Sequence, residues 1–371
     1  MIKKVGNKRV VLPEILYFQQ LSLLHFRNHA DRAISFCAGF NAFCGPNGAG
    51  KTNLLEAIHY LCLAKGLHAD RDAIMQGEVF FQLEAQLGPA PRQLAIHYLQ
   101  GRGKRVFWDR VPLPRLVDHV GRLPVVTMLP EDTDLIRLGG TQRRAWLDAL
   151  LCQADPAYLQ ALVLYDRALK QRNALLQQQA QGRADAALLE LWTEPLLQQG
   201  PVLARKRLEM LAAFRPYFEE VYGWVSSGRE RPRIAYLDSL RGMAWGDAFR
   251  MGLAADLASG RTRQGTHRDD LAFLLNDTPA RQFGSQGQQK SFLLALKLAQ
   301  YLYIERAANQ SPILLLDDLL DKLDARRVES LVEILAQRVR GQIFLTHTDA
   351  HRIEALLAPT SRKFCLAQLG V

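Results

Sequence analysis

The stretch GPNGAGKT, Gly45 to Thr52, decides how the rest of this sequence is interpreted. It lies between a short strand candidate and a helix candidate, and its spacing GxxxxGK[ST] is typical of a phosphate-binding loop. In such a loop the backbone N–H groups of residues 47–51 surround the β-phosphate. The Lys51 ammonium reaches the β- and γ-phosphate oxygens, and the Thr52 hydroxyl binds Mg²⁺. The predicted loop residues are Gly45, Pro46, Asn47, Gly48, Ala49, Gly50, Lys51 and Thr52.

A second motif, ILLLDD, runs from Ile313 to Asp318. Its four consecutive apolar residues predict a parallel strand that is buried on both faces. Asp317 at the end of that strand is placed to hold the Mg²⁺ hydration shell. Asp318 is placed to orient or deprotonate a water molecule that attacks the γ-phosphate. On its own this motif also fits a strand that runs into an Asp-capped turn, and its pairing with the loop favours the catalytic interpretation.

A third motif is the polar turn GSQGQQ, which runs straight into a long apolar helix candidate ending near Gln300. The free N–H groups and the positive dipole end of a helix N-terminus attract anions. The turn therefore predicts a second phosphate-binding element, far along the chain from the first. Its residues are Ser285, Gln286, Gly287 and Gln288.

The three motifs, in this order, resemble those of ABC-type ATPase heads. In that superfamily a Ser-Gly-Gly-Gln-like turn binds the γ-phosphate that is held by the loop of the partner subunit. The resemblance implies that Ser285, Gln286, Gly287 and Gln288 serve a second copy of the chain. It also implies an ATP-dependent homodimer with two ATP molecules between the protomers.

Further sequence blocks point to one family within this superfamily. With them, the chain from about residue 15 to its end is similar to the RecF family of DNA replication and repair proteins. The family resemblance implies an α/β fold: an ABC-type P-loop ATPase head with a mixed sheet plus an inserted, mainly helical second lobe. The blocks are HFRN (25–28), PEDTDLI (130–136), QRRAWLD (142–148), RALKQRN (167–173), THRDDLAFLLN (266–276) and PILLLDDLLDKLD (312–324).

The resemblance also implies roles for single residues. Asp324 would be the D-loop carboxylate that couples the two sites of a dimer, and His347 would be the switch residue near the γ-phosphate. Lys51 and Asp318 would be catalytic, with ATP and Mg²⁺ as cofactors. The implied activity is weak ATP hydrolysis that serves as a switch for binding double-stranded and gapped DNA. The implied partners are RecR- and RecO-like mediators and a RecA-like recombinase.

Composition is consistent with a nucleic-acid partner and excludes other classes. The chain of 371 residues carries a formal net charge of +10, which favours a polyanionic partner although basic balance alone is a weak signal. No apolar run is long enough for a membrane span, and the basic start lacks the apolar stretch of a secretory signal. Five cysteines without metal-binding spacing predict reduced thiols and a cytoplasmic location.

The sequence predicts four segments. Residues 1–13 are a basic extension, 14–140 the first part of the ATPase lobe, and 141–260 a helical lobe. Residues 261–371 carry the second turn, the Asp317 strand, the D-loop and the switch strand. The helical lobe is expected to be broken at its prolines, which argues against the long coiled coil of a chromosome organiser. These prolines are Pro156, Pro195, Pro201 and Pro216.

An ATPase subunit of a membrane transporter is the alternative. Against it, no glutamine follows the strand candidate PVVTML, where a transporter head has its Q-loop. Pro130, Glu131 and Asp132 occupy that place. The stretch between the phosphate-binding loop and the second turn is also longer than in transporter heads.

Overall fold

The computed structural model describes residues 15–179, 186–226, 230–319, 325–360 and 363–369. The predicted basic extension and the predicted D-loop residue Asp324 lie outside these ranges. The chain divides into two compact units. Unit 1 consists of residues 1–131 and 300–371, and unit 2 of residues 132–299.

The strands, in chain order, are β1 Tyr17–Phe26, β2 His29–Ser35, β3 Phe40–Cys44, β4 Phe80–Gly88, β5 Arg92–Leu99, β6 Gly103–Trp108, β7 Val111–Pro112, β8 Val125–Met128, β9 Pro232–Leu237, β10 Asp270–Leu275, β11 Thr278–Pro279, β12 Ile313–Leu316, β13 Ile343–His347 and β14 Phe364–Gln368. The α-helices are α1 Lys51–Leu63, α2 Asp134–Arg137, α3 Gly140–Ala154, α4 Pro156–Gln179, α5 Ala186–Val225, α6 Trp245–Ser259, α7 Ala280–Phe283, α8 Gln286–Ala308, α9 Ala325–Arg338 and α10 Ala350–Leu357.

Unit 1 contains two sheets with α1 packed against both. The parallel sheet has the order β14-β3-β13-β12-β8, so strands from both ends of the chain share it. Its strands β3, β12 and β13 are buried along their whole length, which explains their continuous apolar runs. The antiparallel sheet has the order β2-β1-β4-β5-β6-β7 and buries every second side chain against α1 and the core.

Unit 2 combines the helices α2 to α7 and the first part of α8 with a small antiparallel sheet of order β11-β10-β9. Its extent differs from the predicted helical lobe, since it continues beyond residue 260 to Ala299. The reason is pairing and packing: β10 pairs with β9, and Phe292 of α8 packs its ring 4.9 Å from that of Phe218 in α5.

The prediction that prolines break the helical lobe is wrong for three of the four. Helix α5 has 40 residues and contains Pro195, Pro201 and Pro216. An interior proline removes one backbone hydrogen bond and costs about 3 kcal/mol in helix propensity. Burial of one face of α5 outweighs this cost, because tertiary packing supplies most helix stability. The buried residues on that face include Leu196, Leu203, Met210, Phe214, Phe218 and Val221. Only Pro156 lies at a helix start, where its missing N–H needs no partner.

Two buried arginines tie the helices of unit 2 to the β9–β10 region. Arg207 donates to Tyr158 Oη, the Thr266 carbonyl and an Asp148 carboxylate oxygen, at 2.8 to 2.9 Å. Arg172 donates to Asp256 at 2.8 Å. Asp148, Arg172 and Thr266 come from the blocks that resemble the RecF family, so those blocks contribute to the interior of unit 2. Both guanidinium groups are satisfied by several acceptors, as buried charges require.

No helix in the described ranges is both long and apolar enough to cross a lipid bilayer.

Two buried histidines predict a loss of stability at mildly acidic pH. His119 Nδ1 accepts a hydrogen bond from Trp108 Nε1 at 3.0 Å and its Nε2 hydrogen is donated to the Leu61 carbonyl at 2.7 Å. His267 has the same arrangement with the Tyr165 hydroxyl and the Thr262 carbonyl. Burial, which outweighs the backbone hydrogen bond, lowers the pKa of each to about 4.

The folded protein therefore keeps both rings neutral at a pH where the unfolded chain, with a pKa of 6.5, takes up protons. Stability is full above pH 6.5 and falls as the pH decreases towards 4. From pH 7.5 to 5.0 each histidine should cost about 2 kcal/mol. Urea unfolding followed by tryptophan fluorescence measures this. His119→Gln should reduce the loss, whereas His68→Gln, at an exposed position, should not; equal losses in all three proteins would contradict the assignment.

Candidate nucleotide-binding site

The predicted phosphate-binding loop lies between β3 and α1, as the sequence indicated. Gly50 has φ 86°, and a Cβ there would lie 2.7 Å from the Asn28 side chain. Gly48 has φ 88°, and a Cβ there would meet nothing within 4 Å. Only glycine adopts these conformations without strain. Gly50 therefore permits the close packing below the loop, and the space over Gly48 is open to a phosphate.

Lys51 is 5% exposed and its ammonium group is held over the loop. It donates hydrogen bonds to the Gly45 carbonyl at 2.8 Å and to the Pro46 carbonyl at 3.0 Å. Both acceptors are neutral, and phosphate oxygens carry negative charge, which makes stronger hydrogen bonds. The side chain is thus held where an arriving phosphate would take over its bonds.

The hydroxyl of Thr52 lies 2.9 Å from one carboxylate oxygen of Asp317 and 3.1 Å from the other. Thr346 on β13 donates to the same carboxylate at 2.8 Å. Register places these groups together, because β12, which Asp317 follows, pairs in parallel with β13. Thr346 and Asp317 therefore meet at the carboxyl ends of adjacent parallel strands, and Thr52 of α1 contacts the same carboxylate.

Burial raises the pKa of the Asp317 carboxyl, and the nearby Asp318 and Glu131 carboxylates raise it further. The hydroxyls of Thr346 and Thr52 act in the opposite direction, because they donate to the ionised form. A buried carboxylate with two like charges nearby and only neutral donors attracts a cation. The Asp317 carboxylate oxygens and the Thr52 hydroxyl are ligands that fit Mg²⁺. This ion takes few protein ligands and completes its coordination shell with water and phosphate oxygens.

Asp318 follows directly and has a left-handed backbone, with φ 45°. Its N–H donates to the Thr346 hydroxyl at 2.9 Å, and its carboxylate lies 3.3 Å from that hydroxyl. Thr346 therefore orients both aspartates. This role of Thr346 was not predicted from the sequence, although a threonine within the fully buried strand β13 was a visible signal.

His347 ends β13 and is 1% exposed. Its Nδ1 accepts the Asp349 N–H at 2.8 Å, which leaves the ring hydrogen on Nε2. Its carbonyl accepts the Gly45 N–H at 3.2 Å. His347, the predicted switch residue, is thus in direct contact with Gly45, the first residue of the phosphate-binding loop.

The second turn belongs to unit 2 and forms a reciprocal cap at the start of α8. The Gln288 N–H donates to the Ser285 hydroxyl at 3.2 Å, and the Ser285 N–H donates to the Gln288 side-chain oxygen at 2.6 Å. This is a capping box, which satisfies two helix-terminal donors. Ser285 and Gln286 are exposed, and the N–H groups of Gln286 and Gly287 remain at the helix N-terminus.

Glu230 holds this turn from outside. The Gln288 side-chain amide donates to Glu230 Oε1 at 2.6 Å, and the Tyr222 hydroxyl donates to the same carboxylate. No sequence signal pointed to Glu230, because it lies far from the turn in the chain. The glutamine of the turn is thus fixed by unit 2 itself, and the Ser285 hydrogen stays available to a further acceptor.

The place of the transporter Q-loop is filled differently. Asp132 accepts the Lys297 ammonium at 2.8 Å within unit 2, so it is tied to α8. Glu131 belongs to unit 1, where its negative charge contributes to the raised pKa of Asp317. In the described part of the chain there is no cluster of three or more His, Cys, Asp or Glu side chains that suits another metal.

Comparisons with known proteins agree with this geometry. A sequence-family profile described as an AAA domain matches residues 20–106. The DNA replication and repair protein RecF of Cytophaga hutchinsonii is 38% identical over 353 residues, which is 94% of each chain. That of Salinibacter ruber is 39% identical over 355 residues, covering 91% of this chain and 86% of its own.

Solved structures give the same result. The recombination mediator protein RecF of the RecFOR pathway, solved as RecF-ATP, superimposes with a TM-score of 0.85 at 26% identity, and 96% of each chain is covered. The Smc head domain of Pyrococcus furiosus matches in fold alone, with a TM-score of 0.55 and 16% identity over 96% of this chain and 94% of its own. The predicted fold class, a P-loop ATPase head of the ABC and SMC type, is confirmed. The chain belongs to the RecF family of DNA replication and repair proteins.

Proposed function

We propose that this protein binds ATP with Mg²⁺ in the loop 45–52 and acts as an ATP-dependent DNA-binding protein in replication and recombinational repair. The observation that carries the proposal is the Thr52 hydroxyl 2.9 Å from the buried Asp317 carboxylate, directly below the loop. Family membership and the ATP in the similar RecF structure support it.

Binding of ATP exchanges bonds that the loop already makes. The Lys51 ammonium leaves the Gly45 and Pro46 carbonyls for the β- and γ-phosphate oxygens, and the loop N–H groups surround the β-phosphate. Thr52 and Asp317 would hold Mg²⁺, which would supply positive charge to neutralise the phosphates.

Hydrolysis needs a group that positions water at the γ-phosphate, and Asp318 takes this role. The Asp318 N–H donates to the Thr346 hydroxyl, which fixes the backbone, and the Asp318 carboxylate would orient the water. His347 lies at the loop entrance as a polar partner for the γ-phosphate. We propose slow turnover, which makes hydrolysis a release step.

The turn 285–288 completes the site of a second copy. Ser285 is exposed, its N-cap geometry is already formed, and its hydroxyl hydrogen and the helix N–H groups suit a γ-phosphate. The two phosphate-binding elements lie in different units of the chain. ATP would then join two protomers, because a ligand that binds only the dimer stabilises it.

DNA is the partner that the charge and the family favour. A net charge of +10 suits a phosphate backbone, and six to ten phosphate contacts would weaken affinity by about 10³- to 10⁵-fold between 50 and 200 mM salt. We propose binding to double-stranded and gapped DNA without base readout. The similar RecF structures belong to the RecFOR pathway, which supports RecR- and RecO-like mediators and the loading of a RecA-like recombinase.

Asp318→Asn should lower ATP hydrolysis by at least about 100-fold, since it removes the water-orienting carboxylate but keeps the backbone bond to Thr346. The variant should hold gapped DNA as a long-lived dimer in ATP, whereas the wild-type protein should release it. Sedimentation velocity and fluorescence anisotropy of a labelled gapped duplex, in ADP, ATP and a non-hydrolysable analogue, measure both effects.

Asp31→Asn at an exposed position on β2 is the matched control and should behave as wild type. Equal DNA affinity in ADP and in the analogue would overturn the proposed ATP dependence. An unchanged hydrolysis rate in Asp318→Asn would remove that residue from the catalytic role.

A further inference from the structure

The outer face of the antiparallel sheet in unit 1 carries aromatic residues where a solvated face is normally polar. Strands β4, β5 and β6 bury alternate side chains against the core, and the other set points away from it. That outer set includes Phe80, His97, Leu99 and Phe107. The rings of His97 and Phe107 lie 5.0 Å apart. Phe80, His97 and Phe107 are half-buried and Leu99 is exposed, so part of each side chain faces solvent. Partly exposed aromatic side chains grouped on one sheet face indicate a binding surface.

These side chains line an open groove of about 470 Å³ near the β5–β6 turn. A second depression of about 260 Å³ continues along the same face and shares His97 and Phe107 with the first. Gln82 lies in the first depression and Gln93 in the second, so amide groups accompany the rings. The combined surface offers flat apolar area with hydrogen-bonding groups beside it.

The rim of the groove is basic. Arg102 and Arg105 line it, and both are exposed. Neither makes an ion pair with a carboxylate in the described ranges. At the far end, Arg110 donates to the Gln93 side chain at 3.1 Å. Glu84, an acidic residue on this face, lies 3.5 Å from His97. The rim therefore has uncompensated positive charge next to an aromatic floor.

We propose that this face binds a short single-stranded nucleic-acid segment, with bases stacked on Phe107 and Phe80 and the phosphates between them held by Arg102 and Arg105. Unpaired bases stack on aromatic side chains that project from an antiparallel sheet, and cations at the edge hold the backbone. A duplex keeps its base faces covered, so the groove selects single strands. The inference rests on the proposed DNA-binding function but names a site apart from the ATP loop.

The test uses the full-length protein without nucleotide and fluorescein-labelled fifteen-nucleotide oligo-dT at 50 mM salt, read by anisotropy. Phe107→Ala should weaken binding roughly tenfold, because one stacked base is lost. Arg102→Ala with Arg105→Ala should reduce the slope of log affinity against log salt by about 1.4, or about 0.7 per phosphate contact. Val111→Ala and Arg71→Ala, both exposed elsewhere in unit 1, should change neither value.

A second measurement needs no variant, so it stands even if Phe107→Ala folds poorly. Oligonucleotides with 5-iodouracil, cross-linked by light to the wild-type protein, should label peptides that contain Phe80 or Phe107. Cross-links confined to other peptides, or equal losses of duplex and single-strand binding in the variants, would overturn the proposal. If the groove instead takes a protein segment, oligo-dT will not bind it, which also overturns the proposal.

Failure here is distinguishable from failure of the proposed function. Lys51→Met should keep oligo-dT binding at this groove while it loses ATP-dependent binding of gapped duplex. If the wild-type protein binds gapped duplex in ATP but does not bind oligo-dT, the proposed function stands and the proposed single-strand site is refuted.

Discussion

Replacing Lys51 with methionine is expected to weaken ATP binding by at least about 100-fold, because the variant loses the charged contact to the β- and γ-phosphates in a buried site. Methionine keeps the apolar length of the lysine stem, so the change removes charge more than packing. Titration calorimetry with ATP and Mg²⁺ measures the affinity directly. Dimerisation and ATP-dependent DNA binding should be lost with it.

The fold should tolerate this change. Among the described residues, Lys51 donates to the Gly45 and Pro46 carbonyls, and Pro46 is exposed so that water can replace the ammonium there. Lys65→Met, at an exposed position just after α1, is the matched control and should keep wild-type affinity. An affinity of Lys51→Met within threefold of wild type would contradict the assignment of the loop.

Local sequence was sufficient to predict where the loop 45–52 and the strand before Asp317 lie. A loop of this kind is specified by glycine conformations and one strand–helix junction, all within a few residues, and the structure places Gly50 and Lys51 accordingly. The strand Ile313–Leu316 was equally visible, because burial on both faces demands a continuous apolar run. Asp317 then follows at the strand end, beside Thr52.

What the sequence did not reveal depends on contacts between distant segments. Thr346 reaches Asp317 only because β12 and β13 pair in one register. Glu230 reaches Gln288 only through the fold of unit 2. Strand β14 was also missed, since its half-buried residues lack a clear pattern and its pairing with β3 is set by tertiary structure. Such partners carry no local signature.

The helical lobe shows the opposite error, in which a strong local rule was overridden. Proline is the strongest helix breaker by propensity, yet α5 continues through three prolines. Buried side chains from Leu196 to Tyr222 supply packing along almost the whole helix. Propensity therefore gave the wrong boundary wherever a long buried face was available to compensate.

Ser285→Asp is expected to abolish ATP-induced dimerisation while ATP binding to the monomer stays within about twofold of wild type. Aspartate at a helix N-cap accepts the Gln288 N–H as serine does, so the cap of α8 is kept. Its negative charge, however, would face the γ-phosphate of the partner, and such like-charge contacts cost several kcal/mol. Association in ATP should weaken by at least about 100-fold, measured by sedimentation velocity.

Two further substitutions separate charge from structure. Ser285→Asn keeps the cap without a charge and should retain part of the dimer, whereas Ser285→Arg adds bulk at an exposed site and should block dimers as well. The loop and the turn lie in different units of the chain. Whether they act together at one ATP therefore has to be tested by two measurements, the dimerisation of the protein and the ATP affinity of the monomer. A Ser285→Asp protein that dimerises normally would refute the role of the turn. One that loses ATP affinity as a monomer would show that the turn serves its own chain.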